Sequence, residues 1–242
     1  MKISILHPSR GRPEQALKAC THWVTNMNLG ERQQDFEYIL SVDSSDPRLE
    51  EYKKDNPEFP FSPFFTIVND NKSMVQAANA AAKKSTGDIL ILISDDFECF
   101  YEWNRIIIKA LDGKSGVLKT FDGVQRWICT LPVMTKDYYQ DQGYFYYPSY
   151  VHMFCDSDMT HKADLQKKLV MRNDIVFKHN HYSVGGHKDV ISVKADSTWN
   201  QGEAVYLQRC MNRFGLGDID IYDLSPEAKQ AGHVAWLRKK LR

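Results

Sequence analysis

Residues 88–93, DILILI, constrain the fold more than any other stretch of the chain. Five apolar residues in succession have no polar face. A strand built from them must be covered on both sides, as the central strands of parallel α/β sheets are. The run ends at once in Ser94-Asp95-Asp96, so two carboxylates stand at its C-terminal end. The chain upstream alternates in the same sense. Short strands are expected at residues 2–7, 36–42 and 64–68. Between the first two, Pro13 suits the first turn of a helix, and Ala16, Cys20, Trp23, Val24 and Met27 recur at helical spacing. Residues 48–63, charged and proline-bearing, read as a short helix and loop. Ser73 and Gln76 form a capping-box pattern opening an alanine-rich helix that runs to Lys84 and is closed by Gly87. Strand and helix in alternation describe βαβ units and a mostly parallel sheet.

The second half alternates less cleanly. A strand is expected at 125–134, a short helix at 135–141, an aromatic stretch at 143–150 broken by Pro148, and a strand-like run at 174–177. Helices are expected at 158–169 and 198–214, with a final helix opened by Ser225-Pro226-Glu227 and ending in the basic residues 238–242. No repeat or linker divides the 242 residues, so a single domain over 1–242 is expected.

Thirty-one basic and 31 acidic residues cancel, which excludes a whole-protein basic field for nucleic acid or anionic lipid. A local patch such as Lys162, Lys167 and Lys168 could still meet phosphates. Five widely spaced cysteines with no C-x-x-C argue against a disulfide framework or zinc ribbon. The N-terminal residues lack the pattern of a signal peptide, and no apolar run approaches the ~20 residues of a membrane span. A cytoplasmic protein without a transmembrane segment is expected.

Open parallel sheets bind ligands beyond the carboxyl ends of their strands. Three polar clusters fall there: His7-Pro8-Ser9-Arg10-Gly11-Arg12, Asp43 with Ser44 and Asp46, and Ser94-Asp95-Asp96-Phe97-Glu98. Arginines beside a helix N-terminus suit phosphate. A carboxylate at a strand end suits a base or ribose, and a carboxylate pair suits a divalent metal bridging diphosphate oxygens. Together they describe a site for a nucleoside diphosphate with a metal. The glycine-rich fingerprints of dinucleotide folds and P-loops are missing.

On these residues the chain resembles nucleotide-sugar glycosyltransferases of the GT-A fold, most closely the inverting family 2. The resemblance rests on Pro8-Ser9-Arg10-Gly11-Arg12, on Asp43 at a strand end, on Asn71-Lys72-Ser73 with Ala78-Asn79-Ala80, and on Gly87-Asp88 leading through the apolar strand to Asp95-Asp96. It implies an α/β, Rossmann-like, mostly parallel central sheet flanked by helices. Residues 1–110 would form the nucleotide-sugar half and 111–242 the acceptor half. It further implies donor contacts from Pro8, Ser9, Arg10, Arg12, Asp43, Lys72, Asn79 and Asp95. Asp96 would hold Mn²⁺ or Mg²⁺, with His179 or His181 completing the metal shell. Asp156 would be the general base, with Asp158 its close rival.

The implied activity is metal-dependent transfer of a sugar from a UDP- or GDP-sugar to an acceptor hydroxyl, with inversion. A saccharide, a protein and a hydroxymethylated base in viral DNA are the acceptor classes. Two other readings stay open: a nucleotidyltransferase acting on a sugar phosphate, and a non-catalytic nucleotide-sugar-binding relic. The aromatic run at 144–148 serves either as an acceptor platform or as core.

Overall fold

The computed structural model describes residues 1–28, 36–53, 64–182, 185 and 188–242. The loop expected within 54–63 lies outside them. Strands β1 (Ile3–Ser9), β2 (Phe36–Asp43), β3 (Phe64–Asn69) and β4 (Ile89–Leu92) are mutually parallel where they pair, in the order β3-β2-β1-β4. They are joined through α1 (Pro13–Thr25), α2 (Leu49–Lys53) and α3 (Met74–Lys84). The apolar run therefore becomes β4, and all four of its residues are buried. One hydrophobic cluster packs on each face of the sheet.

After β4 come β5 (Phe97–Glu98), α4 (Trp103–Leu111), β6 (Val117–Phe121), β7 (Val133–Thr135) and α5 (Lys136–Gln142). Then follow α6 (Cys155–Leu165), β8 (Leu169–Val176), β9 (Lys178–His179), α7 (Val190–Asp196), α8 (Trp199–Met211), α9 (Pro226–Gln230) and α10 (His233–Lys240). Strands β7, β6 and β8 extend the sheet beyond β4, and β7 runs antiparallel to both β4 and β6. The short strands β5 and β9 pair separately as a two-stranded ribbon.

Several expectations for the second half are corrected. Only the end of the strand expected at 125–134 forms, as β7. Trp127, Cys129 and Leu131 are buried without a regular strand, and Pro132 supplies no backbone donor. Strand β6 was not expected, because Lys119 sits in its middle. Its ammonium is buried and donates to the Thr120 and Gln125 carbonyls. The final helix is two, α9 and α10, separated at Gly232 with φ +75°. Helix α3 ends at an extended Ser85 rather than at Gly87. Gly87 serves another need: a Cβ there would lie 2.7 Å from the Ser4 nitrogen and 2.9 Å from the Lys2 oxygen. The capping box is also altered. Ser73 Oγ accepts from the Gln76 N–H, but Gln76 Oε1 accepts from Lys72 N.

Candidate active site

The parallel register of β1, β2 and β4 carries three polar clusters to one edge. Ser9 pairs with Val42 and Leu6 with Leu92, so the turn after β1, Asp43 and Asp95-Asp96 emerge together. Arg10 Nη1 lies 2.7 Å from Asp43 Oδ2. Asp43 Oδ1 accepts from the Ser45 N–H and hydroxyl, each at 2.7 Å. Partial burial works against the Asp43 carboxylate, but the Ser45 bonds and the Arg10 charge hold its pKa below the usual value. Pro8 and Ser9 finish β1. Tyr52 Oη contacts Ser9 Oγ at 3.0 Å and accepts from the Arg12 N–H at 2.8 Å, while Asp46 accepts from Gly11 N. The turn is thus tied down from β2 and α2.

Asp95 is clamped. His7 Nε2 lies 2.8 Å from its Oδ1, and Arg12 Nη1 lies 3.7 Å from its Oδ2. His7 is oriented in turn by the Tyr38 hydroxyl at 2.6 Å on Nδ1. Arg12 also pairs with Asp189, the N-cap of α7, whose carboxylate accepts from Ser192 N. His7 as the partner of Asp95, and Asp189, are among the residues that the sequence does not mark. No local pattern joins positions separated by 88 and 177 residues.

Asp96 meets His179, with His179 Nε2 3.2 Å from Asp96 Oδ2. The β5–β9 ribbon makes this contact, since it sets Phe97 opposite His179 and stacks their rings at 4.0 Å. On the far side of the imidazole, Nδ1 lies 3.9 Å from Asp122 Oδ2. Burial opposes ionisation of Asp96, but His179 and Ser94 bring its pKa down to about 2. Burial likewise opposes charge on His179, and the carboxylates at both ends of the ring outweigh it, raising its pKa to about 9. His181 touches the His179 ring at 5.1 Å between centroids, so of the two expected histidines His179 is the one against Asp96.

The paired candidates on α6 diverge. Asp158 is fully buried and ion-paired: Arg209 Nε approaches its Oδ2 at 2.9 Å, and the Tyr150 hydroxyl donates to the same oxygen at 3.1 Å. Arg209 also lies 3.9 Å over the Tyr147 ring. Asp156 is half-buried, and its bonds are to its neighbour Ser157 through the N–H at 2.7 Å and the hydroxyl at 3.4 Å. Desolvation raises its pKa, and the Asp122 carboxylate adds to the rise. Burial raises the Asp158 pKa too, against the pull of Arg209. The two therefore differ in their partners: Asp158 is held by a guanidinium and a phenol, and Asp156 is not.

Asn79 is turned away from the role expected of it. Its Oδ1 accepts from Phe145 N and Tyr146 N, and its Nδ2 donates to the Tyr146 carbonyl at 2.8 Å. The amide holds the aromatic loop, whose Phe145, Tyr146 and Tyr150 are core. Lys72 is exposed beside the N-terminus of α3. The lysine patch does not form as expected. Lys162 is buried with its ammonium on the Tyr144 hydroxyl, and Lys167 pairs with Asp223.

Comparison with known proteins agrees with this architecture. A search of curated protein sequences finds no match. Among solved structures, residues 1–349 of TarS from S. aureus in complex with UDP superpose with a TM-score of 0.60 at 14% identity, covering 100% of this chain and 88% of that one. The mannosyltransferase PcManGT from Pyrobaculum calidifontis, in complex with GDP-Man and Mn²⁺, gives 0.55 at 11% identity over 99% of this chain and 83% of its own. Glucosyl-3-phosphoglycerate synthase from Mycobacterium tuberculosis, in complex with Mn²⁺, UDP and glucosyl-3-phosphoglycerate, gives 0.59 at 13% identity over 86% and 80%. At such identities the likeness shows a shared GT-A fold. The model of glycosyl transferase family 2 matches residues 4–125, more than half of the chain. The chain therefore belongs to glycosyl transferase family 2, and it is a nucleotide-sugar glycosyltransferase.

Proposed function

We propose that this enzyme moves a sugar from a UDP- or GDP-sugar to an acceptor hydroxyl with inversion, using Mn²⁺ or Mg²⁺. Residues 1–110 supply the donor side and residues 111–242 the acceptor side. The observation that carries the reading is the convergence of Asp43, Asp95 and Asp96 on one strand edge, with His179 brought against Asp96 from the other end of the chain. The similar structures hold UDP with Mn²⁺, or GDP-Man with Mn²⁺, which supports the donor and metal classes.

The donor set suits such a cation. It comprises one carboxylate and one imidazole, and among the described residues no group of three or more acidic, histidine or cysteine side chains could enclose an ion. A site of two protein ligands leaves positions for diphosphate oxygens and water, which is how Mg²⁺ and Mn²⁺ are commonly held with nucleotides. When bound, the cation neutralises charge growing on the leaving diphosphate.

The protein's own residues do the rest. Arg10 and Arg12 lie where phosphate oxygens or the nucleoside pass between Asp43 and Asp95. Asp43 accepts from the base, Asp95 from the ribose, and Lys72 approaches the diphosphate. Asp156 removes the acceptor's proton as its oxygen attacks the anomeric carbon. The bond from that carbon to the diphosphate oxygen breaks, and the nucleoside diphosphate leaves with the bonding pair. Attack from the face opposite the leaving group inverts the anomeric centre.

A thermal-shift panel of UDP-, GDP-, CMP- and dTDP-sugars, with and without MnCl₂, tests this, because a ligand of the folded state raises its apparent stability. A UDP- or GDP-sugar is expected to raise the midpoint in the presence of Mn²⁺, and Asp96→Ala is expected to abolish that rise. A panel in which no nucleotide-sugar shifts the midpoint, or in which Asp96→Ala keeps the full Mn²⁺-dependent shift, overturns the reading.

A further inference from the structure

We propose that Asp122 is a positioning residue for His179, fixing which imidazole nitrogen faces the metal; this rests on the metal reading above. Asp122 follows β6 directly and is buried. Its two oxygens divide their contacts. Oδ1 accepts from the backbone N–H groups of Val124 and Gln125, at 2.8 and 2.6 Å. Oδ2 accepts from the Thr130 hydroxyl at 2.7 Å and faces His179 Nδ1. The contacts on Oδ1 shape the loop and would do so without any histidine. Oδ2 ties Thr130 further along the loop and, in addition, aims an anionic oxygen at the ring.

The surroundings make this a rigid support. Lys119, buried beneath, ties the Gln125 carbonyl to β6. The Asp122 carbonyl accepts from His179 N at 3.2 Å, so the two residues are joined through the backbone as well. The imidazole is held flat on Phe97 and has a carboxylate at each nitrogen. A carboxylate opposite Nδ1 keeps the hydrogen on that nitrogen, so a cation beside Asp96 would displace the hydrogen on Nε2 and meet its lone pair. Outer carboxylates of this kind set the orientation of metal-bound imidazoles, and their loss commonly costs ten- to a hundredfold in metal affinity.

Asp122→Asn is the discriminating change. Its amide oxygen can keep the two backbone bonds while an NH₂ group replaces Oδ2. A donor then faces Nδ1 and drives the ring hydrogen to Nε2, against the metal position. Calorimetry with MnCl₂ alone is expected to show a ten- to hundredfold weaker affinity. The ratio of Mn²⁺ to Mg²⁺ affinity is expected to fall to that of His179→Ala, since imidazole favours Mn²⁺ over the harder Mg²⁺. A loop defect alone would not move that ratio. Wild-type affinity and ratio in folded Asp122→Asn, beside a loss in His179→Ala, overturn the proposal. If Asp122→Asn does not fold, ¹⁵N-imidazole spectra of the wild type in MgCl₂ decide: hydrogen on Nδ1 of His179 supports it, and hydrogen on Nε2 overturns it. Asp96→Ala separates the two levels. Retained Mn²⁺ affinity there overturns the metal reading and this inference with it. Loss in Asp96→Ala with no loss in Asp122→Asn overturns this inference alone.

Discussion

The donor and acceptor halves complete the same sheet with interiors that differ in how much of them is polar. In β1, β2 and β4 most buried side chains are apolar, with Ser4, His7, Ser9, Glu37, Ser41 and Asp43 buried among them, and α1 and α3 cover them through Trp23, Val24, Val75 and a row of alanines. The non-directional hydrophobic effect carries that half. In α6 the buried residues include Asp158, Thr160, His161, Lys162 and Asp164, and each has a specific partner. Asp164 accepts from the Trp127 indole and from Ser225, and His161 sits between the Tyr206 hydroxyl and the Ile221 carbonyl. An interior of partnered polar groups is directional, and removing one partner leaves the other desolvated. The contrast also isolates Asp156, an acid on this polar helix with no cationic partner among the contacts of the described residues.

The comparison is broken most sharply at that residue. Asp156→Asn keeps shape and cannot take a proton, so transfer is expected to fall by about 10²–10⁴-fold, the usual contribution of a positioned general base. Donor affinity, read by calorimetry with UDP and Mn²⁺, is expected to stay within about twofold. Full transfer by this variant would remove Asp156 from the mechanism. Two residues on, Asp158→Asn is expected to act on stability instead. It leaves the Arg209 guanidinium, 12% exposed, without its anion. Breaking a buried pair from one side costs about 3–5 kcal/mol, or roughly 6–20 °C in midpoint for a chain of this size. If the two variants exchange phenotypes, the base is Asp158 and the polar interior is not what holds α6.

The same contrast explains what could be read from the sequence. The first four strands, their parallel run and the shared edge of Asp43, Asp95 and Asp96 follow from apolar runs, helical periodicity and turn residues, all of them local signals, whereas the order β3-β2-β1-β4 is set by tertiary pairing. Strand β6 escaped because Lys119 reads as solvent-facing until its two carbonyl partners are seen. Helix α6 begins three residues before and ends four before the expected 158–169, because its buried charges give no amphipathic pattern. Asp122, Asp189 and the His7–Asp95 pair depend on tertiary contacts alone. Gly116 before β6 is a subtler case: any Cβ there would overlap the Lys168 carbonyl at 1.9 Å, a constraint imposed by the neighbouring strand rather than by the local chain.

Acid should open the two halves unequally. Burial pulls the pKa of His161 down to about 4 and that of His233 to about 3. Tyr206 lies between them, 2.6 Å from His161 Nδ1 and 2.7 Å from His233 Nε2, with Cys210 alongside, and the nearby Asp164 carboxylate acts on His233. Unfolded histidines bind protons below about pH 6.5, whereas these two remain neutral in the folded chain until pH falls further. The unfolded state therefore carries more protons between these limits, and stability falls as pH drops from 7 to 5. Both groups together are expected to remove on the order of 2–3 kcal/mol by pH 5.5. Denaturant midpoints measured across this range check the slope, which His233→Gln should flatten. Hydrogen exchange at pH 5.5 is expected to show α8 and α10 opening while β1, β2 and β4 stay protected. Uniform opening would mean that the interiors do not differ as argued.

The smallest effect belongs to the surface of the more apolar half, at the N-terminus of α3. Ser73 caps α3 by accepting from the Gln76 N–H at 3.1 Å. The second arm of the capping box is missing, because Gln76 bonds to Lys72 N instead. Ser73→Ala therefore deletes one hydrogen bond at an end that water also reaches, and the lost cap is expected to cost about 1 kcal/mol. Val75, Ala78, Ala81 and Ala82 stay packed on the sheet, so the helix itself persists. The denaturant midpoint should shift with unchanged slope, since the surface exposed on unfolding is the same. A loss approaching that of Asp158→Asn would show that the donor half also depends on individual polar bonds. That result would remove the distinction between the two interiors.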